Sequence, residues 1–449
     1  MDRQTIALVR PNIETEFGKL SDETFGWVLA AFYLPYALFQ VPAGFLADRG
    51  DIRRIYALAV GGWSLAGVAA AFSPSLGVLI AFRVCLGVGE SFNWPCGLRL
   101  TSRILPPSDR GLGNGIFNSG AAVGAVVAPL TIPLIAHAYG WRAAFASVGA
   151  LGFVWVAVWL SIRPGDTVMS APRKPEPTGR VTNRARWAFA ALAATSLGIA
   201  LSAIDRGPNA IWGSLAVLML GILIVALVLP ASDLSGSSWL AGLSAIVRLR
   251  RFWVMVVVAI AVNVCWHYIV NWVANYFQKE RKLEMVDGAR VSALLFVAAD
   301  IGNVAGGWLS RSLSRRGMSV FRSRLTIMAG GAGLVACGTT VGLLQQTTAI
   351  VVVLMVMAVG ATSVMANYFA LCQDVSPRHT GLVVGILGGL GNLFAAGFMP
   401  LAGRIQDVTK GFGTSFAIVG LLPMVGVLAL WVGWGRDEVG GEEAPWTEP

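Results

Sequence analysis

The residues in this chain that could do chemistry are ionised or polar groups set among apolar ones. Arg83 and Glu90 share the apolar run 77–97. Seven residues apart, they lie two turns from each other on one helical face, about 10 Å along the axis. Asp2 and Arg3 precede the apolar segment 4–10, Asp300 lies inside the run 290–310, and Asn392 interrupts the run 380–404. His267 and Tyr268 sit among Trp266 and Trp272. A charge at the centre of a membrane span costs about 2.5–3.5 kcal/mol, so each such residue is a candidate for handling substrate or protons. Arg83 and Glu90 also fit a structural pair between helices, but no redundant charge nearby argues for that. Asp300 reads as readily as a cap or partner near a helix end. His267 reads as an interface or satisfied residue rather than a proton relay.

Other chemistry is excluded by spacing. The five cysteines, Cys85, Cys96, Cys265, Cys337 and Cys372, are scattered through apolar runs without metal-ligand spacing and read as small buried hydrophobes. Residues 331–336 (GAGLVA) fit the dinucleotide fingerprint in letters only. They lie in an uninterrupted apolar run with no preceding strand, and their glycines suit close helix approach. There is no Walker A sequence, so transport driven directly by ATP is unsupported. No basic helix is interleaved with aromatics, which speaks against nucleic acid despite the net charge of +10. No cofactor is expected.

The elements that must position these residues are membrane helices. Of 449 residues 55% are apolar and only 13% charged, about half the charged share of a soluble protein, and mean hydropathy is +0.67. Continuous rather than alternating apolar stretches exclude a transmembrane barrel, so an all-α polytopic protein is expected. The runs lie near 24–47, 55–73, 77–97, 113–138, 142–162, 187–204, 211–230, 252–278, 290–310, 324–344, 347–371, 380–404 and 413–435. Residues 4–10 read as the end of a further, incomplete first span. Loops 48–54, 99–110, 163–186 and 311–324 are basic, whereas 11–24 carries four acids against one lysine. The positive-inside rule then puts the basic loops in the cytoplasm, with both termini there once the first span is complete, and the protein in the inner (plasma) membrane.

The expected organisation is an N-terminal six-helix bundle over 1–163 and a C-terminal one over 252–436, followed by a cytoplasmic tail, 437–449. Between them, 164–251 forms a cytoplasmic linker with an inserted transmembrane hairpin (187–204, 211–230) and an amphipathic helix on the cytoplasmic surface. The halves echo each other. Residues 44–54 (GFLADRGDIRR) match 307–317 (GWLSRSLSRRG), and 115–129 (GIFNSGAAVGAVVAP) match 385–400 (GILGGLGNLFAAGFMP) more weakly. Such repeats build carriers that alternate access around a site at mid-membrane.

At residues 44–54 the chain resembles the major facilitator superfamily, with Gly44, Asp48, Arg49, Arg53 and Arg54 as the gating and structural motif between spans two and three. Residues 83–95 (RVCLGVGESFNWP), 115–129 and 139–145 (YGWRAAF) are similar to its anion:cation symporter family. Residues 299–320 look most like the hexuronate and aldonate (sugar-acid) carriers within that family. The resemblance implies proton-coupled uptake of an organic anion, most simply a sugar acid, by a monomer whose partners are that anion, protons and membrane lipid. It implies substrate binding by Arg3, Tyr36, Arg83, Asn118, Trp272 and Asn392, and proton coupling by Glu90 and Asp2. A carrier of another anion, such as an organophosphate or aromatic acid, and a non-transporting sensor or decayed paralogue are the alternatives. Arg311 stands where the repeated loop motif has an acid, so a weakened gate is expected in the second half.

Overall fold

The computed structural model describes residues 2–20, 22–162, 238–282 and 285–435. The expected hairpin at 187–204 and 211–230, most of the linker and the tail lie outside them. The first half comprises α1 (Asp2–Leu8), α2 (Arg10–Phe17), α3 (Asp22–Arg49), α4 (Ile52–Ala70), α5 (Leu76–Glu90), α6 (Asn93–Ile104) and α7 (Arg110–Ser161). The second half comprises α8 (Ser238–Val247), α9 (Arg250–Lys279), α10 (Met285–Arg315), α11 (Val320–Ala336), α12 (Thr347–Val375), α13 (Thr380–Thr409) and α14 (Gly413–Gly433). Among the described residues eight helical stretches are long and apolar enough to cross a membrane. The all-α polytopic expectation holds.

Local chemistry sets the breaks. The runs 113–138 and 142–162 lie end to end in α7, which turns at Gly140, where φ is 80° and ψ 163°; a side chain there would be strained. The run 77–97 is divided at Ser91 and Phe92. Pro95 has no N–H to offer the carbonyl four residues back, that of Ser91, and its ring crowds that carbonyl. Likewise α1 gives way to α2 at Val9, with Pro11 in the first turn of α2.

The repeat read in the sequence recurs in the clasps on the acidic-loop face. In the first half Glu16, at the end of α2, accepts hydrogen bonds from Arg142 and from Trp141 Nε1 (2.8 Å), and Arg142 also donates to the Ser73 carbonyl at 3.0 Å. Those two donors hold the Glu16 carboxyl below the usual carboxylate range. In the second half Glu280, at the end of α9, accepts from Phe412 N–H at 2.7 Å, while Arg281 donates to Leu344 O (2.6 Å) and Gln345 O (2.9 Å). Each clasp ties the end of its bundle's first span to the end of the third and the start of the sixth.

The apolar face of α8 packs against the second half. Leu240, Leu243, Ile246 and Val247 are buried in one cluster with Phe252 of α9 and Leu382 of α13, and a methyl at Gly242 would come within 3.3 Å of His379.

Candidate substrate and gating site

Three elements of the first half bring its charges together. From α1, Arg3 donates through Nε to Glu90 Oε2 at 2.7 Å, with 34% and 11% of the two side chains exposed. Its guanidinium lies 4.2 Å from the Tyr36 ring centroid and 5.2 Å from that of Phe32, so α3 supplies the π faces that hold it in place. Glu90 is the last residue of α5, at the break that Pro95 imposes. Gly87 and Gly89 let α5 approach closely: a methyl at Gly87 would fall 2.3 Å from Phe32 O, and one at Gly89 2.8 Å from Trp63 Cβ. Arg83 is 2% exposed. It donates to Val28 O at 3.2 Å and stands 5.4 Å from the Phe32 centroid, and its Nη2 is buried without a hydrogen-bond partner. Asp2 lies against α4, its Oδ1 3.7 Å from where a Gly67 Cβ would sit. Asp2 and Glu90 act on one another electrostatically, and Arg83 feels both. Two acids and two arginines therefore form one cluster, in which Glu90 pairs with Arg3 across the bundle rather than with Arg83 on its own helix.

Among the described residues the second half contributes no ion pair to that cluster. Asn392 is half-buried and donates to Gly388 O at 2.9 Å on its own helix. The backbone register of α13 against α3, with 381 on 44 and 385 on 40, carries 392 to the level of residue 33, one turn from Tyr36. Trp272 is packed within its bundle, stacked on Tyr268 at 6.3 Å and edge-on to Phe412 at 6.1 Å. Asn118 bridges the halves, donating to Asn303 Oδ1 at 2.7 Å and reaching Met365 Sδ at 3.8 Å. Beside that bridge Trp94 of α6 stacks on Phe369 of α12 at 4.6 Å and meets Phe117 of α7 edge-on at 5.3 Å. This polar and aromatic layer joins the two halves. Asp300 is not at a helix end: it lies midway along α10, one turn from Asn303, with a buried Oδ1 that has no hydrogen-bond partner.

Toward the basic-loop face the halves are zipped along two seams. In the α3–α13 seam a methyl at Gly44 would meet Gly381 O at 2.1 Å, so the backbones touch and no larger residue fits. Asp48 then accepts from the backbone N–H groups of Gly381 and Leu382, both at 2.8 Å, and pairs with Arg99 at 3.2 Å. A carboxylate at a helix N-terminus satisfies donors that have no partner within the helix and complements its dipole. Arg99 also donates to Pro377 O and, at 3.1 Å, to Thr380 Oγ1. Arg49 stacks on Phe45 at 4.6 Å. Arg53 ties α4 to Leu160 O, and Arg54 is an exposed partner of Asp51 at 3.3 Å.

In the α7–α10 seam a methyl at Gly307 would meet Gly111 O at 2.4 Å. The expected weakness of this gate is overturned. Arg311 makes two hydrogen bonds to the Asp109 carboxylate, both at 2.8 Å. Asp374 takes Arg110 at 3.0 Å and also Arg324. The acid that position 311 lacks is supplied by the helix it faces. Sequence reasoning missed Asp109, Gln40, Asn303 and Trp94. The repeat offered a signal for one of them, because aligning Gly44 with Gly307 aligns Gln40 with Asn303.

A family model described as Major Facilitator Superfamily matches residues 1–400. A probable galactarate/D-glucarate transporter of Bacillus subtilis (strain 168) is 23% identical over 95% of this chain and 87% of its own length. A hexuronate transporter of Escherichia coli (strain K12) is 23% identical over 96% and 89%. Among solved structures, a proton:xylose symporter bound to 6-bromo-6-deoxy-D-glucose superposes with a TM-score of 0.62 at 14% identity, covering 96% of this chain and 91% of that one.

Proposed function

This chain belongs to the Major Facilitator Superfamily, a multi-pass transporter rather than an enzyme, and from that premise we propose that it takes up an organic anion, a sugar acid, together with protons. The observation that carries this reading is the Arg3–Glu90 ion pair, with the unpartnered Arg83 Nη2 in the same cluster. Protonation of Glu90 removes the anionic partner of Arg3, whose guanidinium then takes the substrate carboxylate by charge-assisted hydrogen bonds. Proton and anion thus bind together or not at all, which is symport. Asp2 is the second proton carrier. Arg83 adds fixed positive charge, Tyr36 and Asn392 meet substrate hydroxyls, and Asn118 joins them when its bridge to Asn303 opens. Trp272 is a stacking platform once its bundle rocks.

In this proposal the basic loops face the cytoplasm of a cell whose inner membrane holds the protein, and both termini lie on that side. The zipped seams then close the site to the cytoplasm, which is the state that receives substrate from outside. Two six-span bundles rock about the cluster, and the segment 187–230 is an inserted hairpin.

The test is uptake of labelled glucuronate and galactonate into proteoliposomes with and without an inward proton gradient. Gradient-stimulated uptake that unlabelled sugar acids compete away is expected, and gradient-independent or absent uptake overturns the reading. Glu90→Gln should abolish the response to the gradient while leaving exchange of internal for external substrate; a full gradient response in that variant removes Glu90 from coupling.

A further inference from the structure

Trp94 stands beside the charge cluster, has no part in the proposed binding, and touches both halves of the molecule. It opens α6, four residues after Glu90, across the break at Ser91 and Phe92. On one side it packs against the apolar group of Phe32 and Tyr36, the rings that face the Arg3 guanidinium. On the other it stacks on Phe369 of α12, 4.6 Å away with the planes at 24°, and stands edge-on to Phe117 of α7 at 86°. Gly97 makes room for that third ring, since a methyl there would fall 2.3 Å from Phe117 Cζ. Phe369 is half-buried in a stretch, 361–373, whose other residues are all buried.

Toward the basic-loop face the same three helices carry polar groups in place of rings. Thr101 lies seven residues beyond Trp94 on α6, about 10 Å along the axis, and Gln373 four beyond Phe369 on α12, about 6 Å. Asn114 lies three before Phe117 on α7, about 4.5 Å. Gln373 Nε2 donates to Leu98 O and Thr101 Oγ1, both at 2.8 Å, and Asn114 Nδ2 donates to Gln373 Oε1 at 3.2 Å. Asn114 and Gln373 are 0% exposed, against 34% for the Arg3 side chain. The step from a partly solvated charge cluster to a dry amide layer is taken across Trp94, Phe117 and Phe369.

That step matters for protons. Carbonyl and amide oxygens keep a second lone pair after one hydrogen bond, and a space with two to four such partners fills with water. Removing the indole would open a space of that kind, joined to the acids on one side and to the amide layer on the other. We propose that Trp94, clamped by Phe369 and Phe117, is the proton seal of the closed basic face, so that protons cross only when the halves exchange and not through the closed seam. Stacked rings exclude water by dewetting, without hydrogen bonds of their own to break. The seal therefore parts between Trp94 and Phe369 when the bundles rock. The inference goes beyond the sugar-acid reading, since it needs a cluster that water and protons reach, whichever anion is carried.

The experiment is proton entry into proteoliposomes of the full chain, without substrate, under an inward proton gradient and read by a pH-sensitive dye sealed inside. Trp94→Ala should raise the rate by about tenfold, the scale of losing a stacked aromatic pair. Trp94→Phe, which keeps a ring on Phe369, should hold the rate at that of wild type. Phe369→Ala attacks the stack from the other half and should leak as Trp94→Ala does, which keeps the test open if the first variant does not fold. Phe416→Ala empties a ring-sized space at a fully buried position of α14; it should lower thermal stability without adding a proton path. Proton entry at the wild-type rate in folded Trp94→Ala or Phe369→Ala overturns the inference, as does an equal leak in Phe416→Ala. A wild type without gradient-driven uptake overturns the symport reading instead, and the comparison of leaks still decides the seal.

Discussion

The α3–α13 and α7–α10 seams are one joint built twice, with the charges exchanged. Gln40 of α3 meets positions 385 and 388 of α13, Gly44 meets 381, and Asp48 meets 381 and 382; Asn303 of α10 meets 115 and 118 of α7, Gly307 meets 111, and Arg311 meets Asp109 before it. The glycines do the same work in both seams, bringing backbones into contact. The difference lies at the basic end. Helix α13 is preceded by Pro377, Arg378 and His379 and has no acid in its first turns, so its N-terminus is capped from across the seam by Asp48. Helix α7 is preceded by Asp109, and a second acid at 311 would be repelled, so the partner there is an arginine. What the duplication preserves is an opposite-charge contact at a helix N-terminus, not the residue that makes it.

Burial then ranks the two. The Asp48 and Arg99 side chains are 5% and 7% exposed, whereas Asp109 and Arg311 are 20% and 28% exposed. Removing one partner of a buried pair costs about 3–5 kcal/mol, because the other charge is left in low dielectric. Asp48→Asn should therefore have the largest effect. It strands Arg99 and weakens the cap on α13, shifting the balance away from the closed basic face by at least about a hundredfold. Spin labels placed across the basic face would record the shift as a longer distance population. An unchanged closed population would mean that glycine packing alone holds this seam.

Arg311→Asp should rank second. It replaces attraction with like-charge repulsion at a partly solvated site, an effect of about 1–2 kcal/mol, or roughly tenfold in the same distance populations. The exchange Arg311→Asp with Asp109→Arg should recover only part of it, since an arginine then sits at the positive end of the α7 dipole. Full recovery would show that the dipole is irrelevant here, and no recovery that the two residues are uncoupled.

The sequence made part of this legible. Asp48 was identifiable as a gate residue, and Arg3 and Glu90 as candidates, because ionised groups in or beside apolar runs need partners. The repeat of 44–54 in 307–317 marked two corresponding gate loops, with a weaker gate expected in the second half. The Asp109–Arg311 pair was not legible, since it joins residues 202 apart in the chain through a register that only packing sets. Reading Arg311 as a loss followed from comparing its loop with the motif rather than with the helix it faces. The pairing of Glu90 with Arg3 rather than Arg83 was likewise hidden, although Pro95, which puts Glu90 at a helix end, was in plain view. The burial of α8 depends on a surface made by α9 and α13, which no local pattern describes.

The smallest expected effect, that of Gln40→Met, comes from comparing the seams where the repeat places an amide in each. Asn303 is satisfied by Asn118. Gln40, 2% exposed, packs against α13 at Gly388 with its Oε1 buried and lacking a hydrogen-bond partner. Removing one of two bonded groups leaves its partner unsatisfied and costs about 1–3 kcal/mol, whereas removing a group that is already unsatisfied costs nothing and relieves its desolvation. Asn118→Leu should therefore loosen the closed basic face. Gln40→Met, which keeps length and volume while deleting the amide, should leave it unchanged or tighten it by about 1 kcal/mol. The same labels read both variants, and the signs are opposite. If Gln40→Met loosens the seam as Asn118→Leu does, the Gln40 amide has a partner in the closed state and the two seams are alike at this level too.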